Sequence, residues 1–515
     1  MEEIGQAART RIAEPSSDTA TTRSRVWTGA WALLAALVAG ALALWLWPFT
    51  VDDALISVRY ARHVADGVGY RFNVGGPSTD GVTPLPWPAL LWPLAHGTPL
   101  VVLLRAKKLG LFVWLAVAAI WGSAVGRCKG SIEVKVLALI GLGVSVPLAA
   151  HAVSGMETAL ATALATLAAL SWKRPFLAAS LAGCAASLRP EMVPWALVLA
   201  CSFALVAPPP SRMRVAAAAI VAILPFSACT LVRVARFGHP APLALTAKPG
   251  DLGYGVLYAA SAALTSVGVI LACAPFAAAR ERGPGGAIAL AGWTHLVAVA
   301  LAGGDWMPYA RLVAPVVPSL LYASVLIGSE GEARRRWALR GRAAVAIGLG
   351  LRTVIVAAPP GRQVGPDREG LVRTVSPLVT GRRRVATVDV GWVSAATEAD
   401  IVDLAGVTDP EIAVLGGGHT SKRVDAALLL AKSPEALLLY AHASDLPLAR
   451  WQEAVFPRVV EARLARSELL ASHFVPAAFV PLGATAEGYY VLLAKRETAS
   501  EVPAAPAPRG DRPRP

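Results

Sequence analysis

Charge is scarce in this chain. Only 16% of its 515 residues are Asp, Glu, Lys or Arg, against about a quarter in ordinary soluble proteins, and 55% are hydrophobic. That shortage excludes a water-soluble globular protein for most of the length and makes lipid the expected solvent. Cysteine is sparse too. Cys128, Cys184, Cys201, Cys229 and Cys273 all lie in or beside apolar runs, which leaves no disulfide framework and no zinc site to read. His239, His295 and His419 share no metal-ligand spacing with other His or Cys, so no metal ligand is assigned. Acidic residues number 34 against 48 basic ones, a net charge of +14. The excess falls in short clusters between apolar runs rather than along one stripe, which argues against a nucleic-acid partner and for a topology signal.

Crossing a bilayer takes roughly 17 to 25 mostly apolar residues, because each segment must satisfy its own backbone. Eleven stretches qualify: 27–48, 109–126, 133–151, 157–172, 175–190, 192–208, 214–232, 256–279, 285–302, 312–328 and 341–359. The first is too long for a cleaved signal peptide and follows a polar leader, residues 1–26, so it is expected to stay as an anchor. Arg9, Arg11, Arg23 and Arg25 in the leader, and the links Arg127/Lys129, Lys173/Arg174, Arg212/Arg214, Arg280/Arg282 and Arg334–Arg342, fall on alternate sides of these stretches. Positive loops stay in the cytoplasm, so the N-terminus is expected inside and the chain from about 360 outside.

This topology gathers on the outer side Asp52, Asp53, the first outer loop 49–108, Glu157, Arg189, Glu191, Arg233, Arg236, His239, Lys248, Asp305 and Arg311. Ionisable groups near a bilayer cost about 2.5–3.5 kcal/mol at its centre, so charges at helix ends are expected to face a cavity or a partner. Arginines on the outer side run against the inside bias, and an anionic ligand would explain them. Asp52 and Asp53 open an amphipathic stretch that Gly67 and Gly69 end, followed by a Pro-rich segment with Trp87 and Trp92 at headgroup level. Paired carboxylates there fit a general base with a supporting neighbour. They also fit a plain helix cap, which spacing alone favours. In the same way Glu157 fits a cap, Arg189 an ion pair with Glu191, and Arg311 an ion pair with Asp305.

Five blocks, in order, change that balance. They are Asp52-Asp53-Ala54-Leu55-Ile56-Ser57 with Arg59-Tyr60-Ala61; Gly81-Val82-Thr83-Pro84-Leu85-Pro86-Trp87; Ser154-Gly155-Met156-Glu157-Thr158; Leu188-Arg189-Pro190-Glu191; and Gly303-Gly304-Asp305-Trp306-Met307-Pro308 through Arg311 and Pro315. Together they resemble the GT-C superfamily of polyprenyl-phosphate-dependent glycosyltransferases, particularly the branch related to mycobacterial cell-wall arabinofuranosyltransferases. A weaker likeness continues through Asp389-Val390-Gly391 and Ile401–Asp409.

The resemblance implies a glycosyltransferase that moves a sugar from a polyprenyl-phosphate donor to a cell-envelope glycan or glycolipid acceptor on the outer face, usually with inversion. It implies a multi-pass protein of a bacterial inner membrane with a periplasmic C-terminal domain. It gives the base role to Asp52 or Asp53, and substrate binding to Arg59, Tyr60, Thr83, Glu157, Arg189, Glu191, Lys248, Asp305 and Arg311. Guanidinium groups suit the donor phosphate. No cofactor is assigned; a divalent cation at Asp52/Asp53 is compatible, since members of the superfamily differ in using one. The chain departs from the pattern before Lys248, where the usual Asn is missing from Pro242–Ala247, and at His63 and Asp80. A reading from another class is a non-catalytic transporter or lipid-glycan-binding protein, with discontinuous helices and charges near the midplane.

Past Pro359-Pro360 the composition turns mixed and polar. Strand-like Val385–Val390 and Ile401–Leu404 and a helical Val424–Lys432 point to a soluble α/β domain over 360–498, with Trp392, Tyr440, Trp451, Tyr489 and Tyr490 as its core and Gly416-Gly417-Gly418 as a turn. Residues 499–515, rich in Pro, Ala and Arg, are expected to be disordered. The expected whole is therefore an α-helical polytopic membrane domain of about eleven spans over 27–359, with a soluble α/β domain behind it.

Overall fold

The structure, a computed structural model, describes residues 17–207, 211–248, 250–272, 283–329, 333–442, 446–483 and 488–496. Most of the leader, Arg280/Arg282, Cys273 and the 499–515 tail lie outside the described residues.

The N-terminal part is helical, and every expected apolar stretch contains helix. Five helices are long and apolar enough to cross a membrane: Val26–Trp45, Pro99–Arg127, Arg212–Phe237, Pro284–Leu301 and the continuous Trp337–Val379. The pair Ile132–Gly143 and Val146–Ala152, bent by 51°, makes a sixth if counted as one span. This is fewer than the eleven that composition led us to expect. Thr158–Leu170, Pro175–Leu188, Pro190–Val206, Leu252–Thr265 and Ala314–Gly328 have 10–17 residues. At 1.5 Å per residue such helices reach at most about 25 Å, short of a hydrocarbon core of about 30 Å. Pro190 ends one of them and a new one starts three residues later at Val193.

Small residues set how closely these helices pack. A Cβ on Gly122 would lie 2.4 Å from the carbonyl oxygen of Trp31, so Pro99–Arg127 meets Val26–Trp45 backbone to backbone. Trp114 donates its indole N–H to Ala39 O at 3.2 Å, and Trp121 donates to Pro318 O at 2.9 Å, which satisfies both buried rings.

The first outer segment is a helix, Asp52–Ala65, closed by Gly67 and Gly69 at φ 76° and 87°. It does not lie on a lipid surface. Residues 54–61 are buried all round, between the helical body and the C-terminal domain.

That domain holds five strands, β1 Arg384–Thr387, β2 Asp400–Asp403, β3 Ala436–Ala441, β4 Phe474–Leu482 and β5 Gly488–Lys495, in the order β2-β1-β3-β5-β4. β2, β1 and β3 run parallel, while β3, β5 and β4 pair antiparallel. The short helices between the parallel strands are the crossovers that parallel pairing demands. Trp392, Trp451 and Tyr490 are buried in this core, whereas Tyr440 and Tyr489 are half-buried at its edge. Helix Trp337–Val379 runs unbroken from the apolar region into the domain, so the change of composition at Pro359 marks no change of secondary structure.

Glu461 gives this domain a pH dependence. Its carboxyl is fully buried; burial pushes it up to about 8, although Arg458 and the Tyr440 N–H at 3.0 Å favour the charged form. The folded value exceeds the unfolded one, so this group's contribution is complete below the unfolded value of 4.5 and is lost as pH rises through about 8. Amide exchange of β3 in the full-length protein, corrected for intrinsic rates between pH 6 and 9, should show protection falling with pH. Glu461→Gln should flatten the trend; an unchanged slope would show that Glu461 does not carry it.

Candidate functional site

A cavity of about 140 Å³ opens where the ends of the helices meet the C-terminal domain. Each segment that walls it brings a particular group. The first turn of Asp52–Ala65 supplies Asp53; the loop 79–85 supplies Gly81 and Thr83; the break after Leu188 supplies Arg189 and Glu191; the end of Leu243–Ala247 supplies Lys248; the loop 303–311 supplies Asp305 and Arg311; and the C-terminal domain supplies Val407.

Local sequence explains these placements. Pro190 stops the preceding helix and leaves Arg189 extended at φ −136°, ψ 92°, so its side chain turns away from the helix axis. The loop 303–311 begins with Gly303 and Gly304 at φ 85° and 72°, and a Cβ on Gly304 would lie 2.7 Å from Tyr258. It ends with Tyr309 and Ala310 at φ 62° and 48°, a conformation that non-glycine residues adopt at some cost. Tyr309 is pinned there by its hydroxyl, which donates to Ala357 O at 2.8 Å.

Two arginines organise the charges. Arg311 donates to Asp305 at 2.7 Å and to Asp53 at 3.3 Å. Arg189 donates through Nε to Glu191 and through Nη1 to Glu157, both at 2.8 Å, while its buried Nη2 has no partner. Burial opposes the ionised form of Asp305, but the charges of Arg311, Lys248 and Arg189 outweigh it and hold its carboxyl below the usual range. Burial likewise works against the Arg311 charge, and Asp305 and Asp53 more than restore it. Lys248 forms no ion pair among the described residues, and Asp53 keeps 28% of its side chain exposed. The cavity thus presents an accessible carboxylate and an ammonium, with the Arg189 guanidinium, whose buried Nη2 is unpaired, in its wall.

A third arginine locks the loop 79–85 in place. Arg233 donates to the buried Asp80 at 2.9 Å and to Thr83 O at 2.6 Å, and Asp80 also accepts from the Leu243 N–H at 3.3 Å. At the mouth, Trp306 is 66% exposed and stacks on Tyr254 at 4.5 Å, with His419 of the C-terminal domain 5.7 Å away.

Of the residues singled out from sequence, Asp53, Thr83, Arg189, Glu191, Lys248, Asp305 and Arg311 line this one cavity, and Glu157 lies buried behind Arg189. Asp52, Arg59 and Tyr60 do not line it. The Asp52 carboxylate accepts from the Gly391 and Trp392 N–H groups at 2.9 and 2.8 Å; Arg59 donates to backbone carbonyls; Tyr60 exchanges hydrogen bonds with Thr79 and the Gly81 N–H. Neither aspartate caps its own helix, whose N-cap is Val51 without a side-chain bond. Glu157 stands at the N-cap of Thr158–Leu170 but also makes no cap bond. The two carboxylates turn to different partners, Asp52 to the 391–392 backbone and Asp53 to Arg311. Among the described residues no three His, Cys, Asp or Glu gather as a ligand set. Sequence reasoning missed Val407 and the Asp80–Arg233 lock; the only signal for the former was the Ile401–Asp409 likeness.

Fold and site define a helical protein with several membrane-length helices, a charged cavity at their ends and a mixed α/β domain over it. Residues 370–492 match a family described as a domain of unknown function (DUF8728), which takes in the sheet. No curated protein matches the chain.

The two partners of Arg311 should differ in energy. Asp305→Ala removes the short buried contact and leaves a guanidinium underpaired, a loss of about 3–5 kcal/mol. Asp53→Ala removes a longer, partly exposed contact and should cost at most about 1 kcal/mol. Thermal unfolding in detergent measures both; equal shifts would contradict this account of the network.

Proposed function

We propose that the protein is a membrane glycosyltransferase of the GT-C type that takes a sugar from a polyprenyl-phosphate donor and transfers it to a hydroxyl of a cell-envelope glycan or glycolipid. The observation that carries the reading is the convergence of the resembling blocks on one cavity, where an accessible Asp53 shares space with Arg189, Lys248 and Arg311.

In this reading Asp53 is the general base. Its carboxylate takes the proton of the acceptor hydroxyl as that oxygen forms a bond to the anomeric carbon, the bond from that carbon to the phosphate oxygen breaks, and polyprenyl phosphate leaves with the electron pair. The guanidinium of Arg189 and the ammonium of Lys248 meet the charge that grows on the departing phosphate, where a preorganised cation stabilises the transition state. Arg311 orients Asp53 through their contact at 3.3 Å, and Asp305 holds Arg311. Asp52 accepts backbone amides outside the cavity lining, so this reading gives the base role to Asp53. The cavity faces the outer side of a bacterial inner membrane, with the N-terminus in the cytoplasm and the C-terminal domain in the periplasm, as the distribution of basic loops favours.

A transporter or lipid-glycan-binding protein would use the same cations but would not need Asp53 as a base, and this separates the two readings. In a strain lacking the gene, wild type should restore the missing envelope glycan. Asp53→Asn, present in membranes at equal abundance, should restore at least about 100-fold less, the usual worth of a general base. Full restoration by Asp53→Asn would remove the catalytic assignment and favour the binding role.

A further inference from the structure

Two neighbouring carboxylates on one helical turn face different domains, and the one that misses the cavity holds the domain that closes it. Asp52 is half-buried against the start of the helix Val390–Ala396, where its two oxygens accept from the Gly391 and Trp392 N–H groups. The approach is so close that a Cβ on Gly391 would lie 2.1 Å from the carbonyl oxygen of Asp52, so only glycine fits there. About two turns further along the same helix, Arg59 is 3% exposed and donates from all three guanidinium nitrogens: Nε to Phe72 O at 2.7 Å, Nη1 to Ser394 O at 3.3 Å and Thr397 O at 3.2 Å, and Nη2 to Ala399 O at 2.7 Å. Asn73 extends the seam by donating to Ile401 O and accepting from Ile401 N–H, both at 2.8 Å.

The seam ends in the cavity wall. At the end of β2, the buried Asp403 accepts from the N–H groups of Ala405, Gly406 and Thr408 and from the Thr408 hydroxyl. This shapes a rigid loop that presents Val407 to the cavity. The loop rests on Gly81, where a Cβ would lie 2.6 Å from Thr408 Cγ2 and 3.0 Å from Val407 O. From Asp52 to Val407 the contacts therefore run through one short stretch, residues 390–408, with hydrogen bonds at each end.

We infer that Asp52 and Arg59 are positioning residues: they clamp the C-terminal domain onto the helix that carries Asp53, and the clamped domain is a working wall of the site rather than an appendage. The claim about activity rests on the transferase reading, in which Asp53 is the base. The clamp itself does not.

The test uses the full-length protein in lipid nanodiscs for amide exchange, and the complemented deletion strain for product. Asp52→Ala and Arg59→Ala should raise exchange across 390–409 while the helices Pro99–Arg127 and Pro284–Leu301 keep wild-type protection. Product should fall roughly tenfold or more, the order expected when charge-assisted hydrogen bonds are lost. Asp52→Asn retains one acceptor oxygen for one of the two amides, so it should recover part of the protection and part of the product. At position 53, Asn should be no better than Ala, because neither takes a proton, and exchange over 390–409 should stay at the wild-type level. Unchanged exchange in Asp52→Ala would overturn the clamp. So would wild-type product from a loosened domain, or loss of product in Asp52→Ala without loosening, which would make Asp52 the base. If Asp53→Asn makes normal product the transferase assignment falls, and the exchange data still decide the clamp.

Discussion

A charge withdrawn from water must find an opposite charge, and that requirement ties this molecule together. Arg189, Arg233 and Arg311 are buried, and each reaches groups from other segments: Glu157 for the first, Asp80 and Thr83 for the second, Asp53 for the third. Removing one partner of such a pair leaves the other uncompensated, at a cost of about 3–5 kcal/mol. Six stretches of chain, around residues 53, 80, 157, 189, 233 and 311, are thereby tied together in and behind the wall of one cavity. The same requirement makes the exceptions informative. Lys248 stays without an ion pair among the described residues and the buried Arg189 Nη2 without an acceptor, and both residues line the cavity.

The short helices serve the same end. A bundle of full-length spans would be packed to both ends, whereas here several helices of 10–17 residues stop early. Their ends, marked by Pro190, Gly303 and Gly304, bring polar loops together beneath the C-terminal domain. That domain then rests on the Asp52–Ala65 helix, whose two faces do separate jobs: one lines the cavity through Asp53, Ile56 and Ser57, and the other holds the domain through Asp52 and Arg59.

Much of the candidate site was legible in sequence because it rests on local chemistry. The Arg189–Glu191 and Arg311–Asp305 pairs follow from spacing, and the Gly67/Gly69 and Pro190 punctuation marks helix ends where they occur. The divergence of Asp52 and Asp53 was not legible. Adjacent residues on a helix point about 100° apart, and which of them meets the cavity depends on backbone amides at 391 and 392, more than three hundred residues away. The placement of Arg59 was not legible for a related reason: its partners are carbonyls, which every residue has and no pattern reveals. The count of spans failed because Ala-rich helices of 13 residues and of 20 have the same composition, and length is decided by breaks whose effect depends on packing. In the C-terminal domain the alternation of strands and helices was enough to see an α/β sheet, but the antiparallel pairing of β4 and β5 depends on a return of the chain that periodicity does not encode.

The central claim is that the cavity receives the phosphate of a lipid-linked donor. Its most direct test is an electron cryomicroscopy structure of the full-length protein in nanodiscs with a polyprenyl phosphate added. The account predicts density for the phosphate between Arg189 and Lys248, beside Asp53. A phosphate bound elsewhere on the protein, or a cavity unchanged at saturating lipid, would contradict it.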